Sequence, residues 1–317
     1  MQAVILAAGK GTRLQPLTLT RTKAMVPVVG KPLVQRVLDT ILPTGVRELI
    51  LVVSPDDAEI RHHFSGRAGL EIPVHFVEQP VRLGMANALS LAAPLITDAF
   101  ILSACDNLTS AAHIADLVEA QHSRSAAGAL SLMPVSLAAV SKTGVVVWED
   151  PYVRRIVEKP RPEEAPSTIS SLPLYVFAPE ILDELPHVQP SPRGEYELQD
   201  AIQRLIDRGR QVTGVLIPQR DQVTNAADLL ALNRHYLSQA PNDCWVEPGA
   251  EIGPGVTLNP PVRIDSGAQI GAGAVIGPYV YVEGGSRIGA RAAIGEALVL
   301  RRAVVAEDAA IQDEVVS

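Results

Sequence analysis

Over the first two-thirds of the chain, short apolar runs alternate with longer stretches of helical periodicity. The runs Ala3–Leu6, Leu49–Val53, Val74–Val77, Phe100–Ser103, Ala129–Met133, Val145–Trp148 and Leu174–Phe177 have the length and β-branched content of buried strands. Helical patterns begin near Pro32, Asp56, Gly84, Ser110 and Glu197. Pro32 suits a first helical position, where its missing N–H would have no intrahelical acceptor. Strands and helices joined by such short links predict an α/β fold built on a mostly parallel, Rossmann-like sheet covered on both faces. On such a sheet a functional site lies at the carboxyl ends of the strands.

The last seventy or so residues obey another period. Val246, Ile252, Leu258, Ile264, Ile270, Ile276, Val282, Ile288, Ile294 and Leu300 recur at every sixth position. Two residues before them stand small or apolar residues such as Ala250, Val256, Val262, Ala268, Ala274 and Val280. The position after them is often Gly, Asn or Asp (Gly253, Asn259, Asp265, Gly271, Gly277, Gly289, Gly295), the types that tolerate left-handed backbone. A six-residue repeat of this kind predicts a parallel β-helix in which each turn stacks aliphatic side chains on the next. Between the two patterns lies NAADLLALNRHYLSQ, an amphipathic helix from Asn225 to Gln239. Asn225 is placed as its N-cap, with Asp228 in the first turn. The expected division is 1–224, a connector over 225–244, and the repeats over 245–317.

Composition narrows the classes. With 317 residues, 47% hydrophobic and 20% charged, the chain can bury one large core or two ordinary ones. A formal net charge of -8 argues against a general nucleic-acid binder. Cys105 and Cys244 form neither a disulfide framework nor a metal-ligand spacing, which sets a reducing cytoplasm as the expected location. MQAVILAAGK lacks the features of a signal peptide, and the apolar stretch near Ala88–Cys105 is broken by Pro94, Thr97 and Asp98, so no membrane span is expected.

Against that acidic background, the first 38 residues hold no Asp or Glu, yet they carry Lys10, Arg13, Arg21, Lys23, Lys31 and Arg36. The strand Ala3–Leu6 runs into Gly9-Lys10-Gly11-Thr12-Arg13-Leu14. Leu14 stands where a dinucleotide fingerprint needs its third glycine, and the spacing fails a Walker loop as well. What remains is a turn whose backbone N–H groups can converge on an anion, with Arg13 and Lys23 available to hold further negative charge.

The stretch LAAGKGTRLQPLTLTRTKAMVPVVGKPL resembles the signature of sugar-1-phosphate nucleotidylyltransferases. Further likenesses follow in order: EQPVRLGMANAL (Glu78–Leu89) to a base-binding segment, LSACDN (Leu102–Asn107) to a metal-aspartate turn, and VEKP (Val157–Pro160) and RGEYELQDAI (Arg193–Ile202) to sugar-phosphate segments. The resemblance covers about residues 1–240 and extends, for many members, to the β-helix tail. Within the family the chain looks closest to glucose-1-phosphate thymidylyl- or uridylyltransferases. It implies a GT-A-like nucleotidyltransferase domain followed by a left-handed β-helix, with Mg²⁺ as cofactor and a nucleoside triphosphate and a sugar 1-phosphate as partners.

Carried onto this sequence, the resemblance implies that Leu6, Ala8, Gly9, Gly11 and Thr12 line the nucleotide and that Arg13 stabilises departing pyrophosphate. Lys23 would lie near the reacting phosphates, and Asp106, after the strand Phe100–Ser103, would hold Mg²⁺. A turn or cap aspartate is the other reading of Asp106. Cys105 replaces the family's glycine; it is a small buried residue or a reactive thiol. Gln79 offers the paired amide donor and acceptor that matches uracil or thymine, and Gly84 would let the backbone approach the base. Glu158 and Lys159, at a strand end before Pro160, together with Ser171 and Glu195, would take the sugar phosphate. The second metal ligand departs from the family pattern: Asn225 is the candidate and Asp221 its rival, while Asn225 as an N-cap alone fits equally well.

Two other classes remain in view. Hexapeptide-repeat proteins often transfer acyl groups with a histidine base, but the last of the seven histidines here is His235, before the repeats. The tail reads instead as a surface for homo-oligomer assembly. A non-catalytic homologue, or an enzyme using GTP or CTP, would share most of these features.

Overall fold

The computed structural model describes residues 1–65, 70–218, 220–240 and 243–317. They form two compact units. One comprises Met1–Lys10, Thr22–Met25 and Val34–Asp221; the other comprises Gly11–Arg21, Val26–Leu33 and Gln222–Ser317. Among the described residues no helix is long and apolar enough to cross a membrane.

The first unit is built on nine strands: β1 (Gln2–Leu6), β2 (Leu49–Val53), β3 (Val74–Glu78), β4 (Phe100–Ala104), β5 (Gly128–Pro134), β6 (Gly144–Glu149), β7 (Tyr152–Glu158), β8 (Ile169–Phe177) and β9 (Val212–Leu216). Their order is β3-β2-β1-β4-β8-β5-β9-β7-β6. The strands β3-β2-β1-β4 are parallel, with Val4 opposite Ile50 and Leu102. Beyond them the sheet is mixed: β8 runs antiparallel to β4 and β5, and β7 antiparallel to β9 and β6. Two of these strands lie outside the predicted set. The sequence YVRRIVE of β7 carries two adjacent arginines and a register shift between Val153 and Arg155, which breaks its alternation. VTGVL of β9 is interrupted by Gly214, where a Cβ would stand 2.3 Å from Leu132 Cδ1.

The helices α1 (Leu33–Ile41), α2 (Ala58–Ser65), α3 (Met85–Ala92), α4 (Ala111–His122) and α5 (Leu198–Asp207) begin within two residues of their expected starts. Ser110 caps α4, its Oγ accepting the His113 N–H at 3.1 Å. The core joins Val4, Ile50, Val52, Leu102, Leu130 and Val212 from the sheet to Leu89, Ala201 and Ile202 from α3 and α5.

In the second unit, α6 (Ala226–Ser238) precedes a parallel β-helix of three sheets. Coils pair at an interval of eighteen residues, Val246 with Ile264 and Ile264 with Val282. The last two coils are one residue shorter: Val282 pairs with Val299, and Val299 with Val316. The first lost residue falls between Ile294 and Val299, so Val299 rather than Leu300 continues the stack, and the second falls between Ile311 and Val316. The six-residue count therefore fails at its last member, Leu300.

Of the glycines named after the stacked residues, Gly277 adopts the expected positive φ, at 108°, and the others have a different cause. Gly253, Gly271 and Gly289 do not adopt positive φ; a Cβ on Gly271 would lie 2.5 Å from Ala290 N on the next coil. They permit close coil stacking. Left-handed backbone falls instead three residues before most stacked side chains, at Gly249, Gly255, Gly267, Gly273, Tyr279, Gly285, Arg291, Glu296, Arg302, Asp308 and Asp313.

Candidate active site

The parallel register fixes where the polar residues gather. Leu6 pairs with Val52 and Ala104, and Val53 with Glu78, so the residues after β1, β2, β3 and β4 emerge at one carboxyl edge. Cys105 N–H donates to Leu6 O at 3.2 Å and Gln79 N–H to Val53 O at 2.9 Å, which carries the order one residue past the strands. Ala8, Gly9, Ser54, Gln79 and Asp106 follow.

Lys23 opens a short 3-10 turn, Lys23–Met25, and its ammonium pairs with Asp106 Oδ2. Both side chains keep part of their surface open to solvent, so the pair can be approached from outside. Beside it the buried Cys105 thiol is pushed up to about 12 by desolvation, reinforced by the Asp106 charge. That leaves it protonated at neutral pH and favours the small-buried-residue reading over the reactive thiol.

Sequence reasoning missed a second cation here. Arg220 donates from Nη1 to Asn107 Oδ1 at 3.0 Å. Burial lowers its pKa while the nearby Asp106 carboxylate opposes that shift. Its neighbours in sequence gave no signal, because the contact spans more than a hundred positions.

Gln79 is buried, and its Nε2 donates to Asn87 Oδ1 at 3.0 Å and Gly84 O at 3.3 Å. The protein thus holds the amide donor, and Oε1 is the atom left to accept. Gly84 has a packing reason of its own: at φ 100°, a Cβ would lie 2.5 Å from Tyr196 O. Arg82, passed over in the sequence, reaches Ala8 O through Nε and Ser54 Oγ through Nη2 at 2.6 Å. It fastens the end of the first strand's loop to the second.

On the other half of the sheet, Ser171 pairs with Gly144 and Gly144 with Glu158, which sets the three side by side. Glu158 lies 3.1 Å from Lys159 Nζ and 3.9 Å from Arg193. Burial pushes the Glu158 carboxyl up, partly offset by Lys159. Lys159 sits at φ 44°, a left-handed conformation that a long side chain adopts only where its surroundings impose it. Four polar atoms of this region are buried with no hydrogen-bond partner: Glu158 Oε2, Ser171 Oγ, Tyr175 Oη and Asn107 Nδ2. Such groups are rare in a satisfied fold and ask for an explanation. Glu197, which the sequence reading passed over, accepts from Arg193 Nη2 at 2.7 Å and Ser191 Oγ at 2.9 Å. Glu195 contributes its carbonyl to the turn before α5.

The remaining candidates belong to the second unit. Gly11 adopts φ 64° as N-cap of the turn Thr12–Leu14, and the Leu14 N–H returns to Gly11 O at 2.8 Å. Thr12 and Arg13 are exposed. Among the described residues neither Lys10 nor Arg13 has an ion-pair partner, whereas Arg21 is neutralised by Glu283 and Lys23 by Asp106. The opening cations are therefore only partly unpaired. Asn225 caps α6: its Oδ1 accepts the Asp228 N–H at 2.9 Å, and Asp228 Oδ2 accepts the Asn225 N–H, a complete capping box. That commitment favours the cap over a metal ligand.

Among the described residues no three acidic, histidine or cysteine side chains converge as a ready-made metal site. A single carboxylate, Asp106, fits Mg²⁺ of the kind held mainly by substrate phosphates and water.

Comparisons with known proteins agree with this layout. A family model described as nucleotidyl transferase matches residues 2–239, and one described as bacterial transferase hexapeptide (six repeats) matches residues 243–278. A UTP–glucose-1-phosphate uridylyltransferase of Haloferax volcanii is 37% identical over 219 residues, spanning 68% of this chain and 88% of that protein. A glucose-1-phosphate thymidylyltransferase of Streptomyces antibioticus is 33% identical over 241 residues, covering 75% of this chain and 66% of that protein. The fold is similar, over 75% of this chain, to that of a UDP-glucose pyrophosphorylase solved with UDP-glucose, of which 99% is covered, at a TM-score of 0.68 and 21% identity.

Proposed function

Because this chain belongs to the nucleotidyl transferase family, we propose that it joins UTP or dTTP to a sugar 1-phosphate, glucose 1-phosphate first among them, and releases pyrophosphate. The observation that supports this reading best is the Lys23–Asp106 pair at the carboxyl edge, adjoining the sheet half that carries Glu158 and Ser171.

In the reaction a phosphate oxygen of the sugar 1-phosphate attacks the α-phosphorus. A new P–O bond forms, the α–β bridging P–O bond breaks, and its electron pair leaves on pyrophosphate. The nucleophile is already an anion near neutral pH, since the second phosphate pKa is about 6. No general base is needed. The work is to bring two anions together and hold them in line.

In this reading, the backbone from Leu6 through Ala8 and Gly9 to Gly11 and Thr12 receives the triphosphate, and Arg13 meets the charge that grows on pyrophosphate. Lys23 turns from Asp106 toward the α-phosphate. Mg²⁺ held at Asp106 would supply neutralising charge between the reacting phosphates. Gln79 Oε1 accepts the N3–H of uracil or thymine, an atom that cytosine does not offer. Lys159 and Arg193 bind the sugar phosphate, and Glu158, Ser171 and Tyr175 offer hydrogen bonds to sugar hydroxyls.

The test is a matrix of UTP, dTTP, GTP, CTP and ATP against several sugar 1-phosphates with Mg²⁺, read by pyrophosphate release. Turnover is expected with UTP, dTTP or both. Turnover confined to GTP or CTP would overturn the role given to Gln79, and none in any combination would overturn the reading as a whole.

A further inference from the structure

The segment Gly11–Arg21, which contains the candidate triphosphate turn, is packed within the β-helix unit. Its last residue explains why. Arg21 is nearly buried, its side chain 3% exposed, and its guanidinium faces the carboxylate of Glu283 in a parallel fork: Nη1 to Oε1 at 2.8 Å and Nη2 to Oε2 at 2.9 Å. Glu283 Oε2 also accepts the Arg301 N–H at 2.8 Å, and Arg301 Nη2 donates to Thr20 O at 3.0 Å. Nearer the turn, Thr18 Oγ1 donates to Gly11 O at 2.8 Å.

Glu283 stands at the corner after the stacked Val282, the column occupied by Glu247 and Asp265 on the two preceding coils. Those two acids are engaged by Arg263, whose guanidinium lies under Gly30, so close that a Cβ there would overlap it. Val29 N–H donates to the buried Asn233 Oδ1 of α6 at 2.8 Å. One acidic corner of the β-helix therefore receives both N-terminal segments of this unit.

A bidentate, buried arginine–carboxylate pair fixes direction as well as distance. A turn meant to present backbone N–H groups to phosphates gains from such fixation, because a loose loop must be ordered at the moment of binding. We propose that Glu283 is a positioning residue for nucleotide binding: the β-helix, through Glu283 and Arg21, holds the turn Gly11–Arg13 in its binding conformation. This rests on the reading of that turn as the triphosphate site. It gives the repeat domain a part in the chemistry of its own chain, separate from assembly.

The test uses the full chain with Glu283→Gln and, as a milder change that keeps the cation, Arg21→Lys. KM for the nucleoside triphosphate should rise about tenfold in Arg21→Lys and more in Glu283→Gln, with KM for the sugar 1-phosphate within twofold of wild type. Hydrogen exchange should quicken over 12–21 and stay unchanged over 262–282. A purely structural pair would instead lower the active fraction, reducing apparent kcat with both KM values unmoved. That result, or wild-type kinetics in both variants, overturns the proposal. If the wild type itself neither turns over nor binds UTP with Mg²⁺, the functional reading fails and takes the positioning role with it; if the wild type is active and the variants match it, the positioning role fails alone.

Discussion

The aliphatic stack of the β-helix and the carboxyl edge of the sheet treat buried polar groups in opposite ways. In the β-helix the stack is Val, Ile and Ala, and two polar side chains beside it are satisfied: Ser286 Oγ donates to Glu283 O at 2.6 Å and Tyr281 Oη to Asp265 Oδ2 at 2.6 Å. The atoms left open among the described residues of that unit, Arg234 Nε and Arg301 Nε, belong to arginines that donate through Nη2. In the sheet unit Glu158 Oε2, Ser171 Oγ, Tyr175 Oη and Asn107 Nδ2 are buried and unsatisfied along one edge. A chain that can satisfy its polar groups in one region and leaves them open in another marks the second as the place where a ligand supplies the partners. Stability should then be concentrated in the stack and chemistry at the edge.

Lys23→Ala bears on that contrast with the largest effect. Turnover should fall by ~10³-fold, as for loss of a group that stabilises transition-state charge, with the fold retained by circular dichroism. A loss below tenfold would break the contrast from the side of the site. From the other side, Ile276→Ala removes a fully buried member of the stack. It should cost about 2–4 kcal/mol in denaturant unfolding while leaving KM values within twofold.

Two glycines sharpen the comparison at smaller scale. A Cβ on Gly271 would press on Ala290 N at 2.5 Å, so Gly271→Ala should destabilise by ~1–3 kcal/mol through overpacking. A Cβ on Gly9 would meet nothing within 4 Å. Gly9→Ala should therefore leave the melting temperature unchanged and act only on nucleotide KM.

The smallest effect is a pH dependence. The Glu158 carboxyl titrates above its ordinary value because burial penalises its charge. The folded state then holds the proton more tightly than the unfolded one, so Glu158's contribution is most favourable below the ordinary carboxylate range. It is lost as pH rises through the raised value. Glu158→Gln, neutral at every pH, should gain stability relative to wild type as pH increases, which melting curves across pH 4 to 8 would register. A constant difference would mean that Glu158 is not raised.

Much of this was legible in the sequence, and for identifiable reasons. The strands that carry the edge are uninterrupted apolar runs bounded by turn residues, and the ordered motifs pointed to Lys23 and Asp106, which the structure pairs, and to Glu158 and Lys159, which it sets 3.1 Å apart. β7 and β9 were hidden by Arg154-Arg155 and by Gly214, which disturb alternation without preventing pairing. Leu300 kept the six-residue count although the coil had shortened, because spacing alone cannot register a one-residue slip between two adjacent aliphatics, Val299 and Leu300. Arg220 with Asn107, and Arg21 with Glu283, depend on contacts between positions far apart in the chain, which no local pattern encodes. Glu283 did leave a trace, a long acid at a position that Gly, Asn or Asp usually fills.

The most direct test of the central claim is a phosphorus NMR time course of the protein with Mg²⁺, UTP and glucose 1-phosphate, wild type beside Asp106→Ala. The wild type should convert the triphosphate and sugar-phosphate signals into pyrophosphate and a nucleotide sugar, while Asp106→Ala leaves them standing. Equal conversion by both proteins would contradict the assignment of chemistry to this edge.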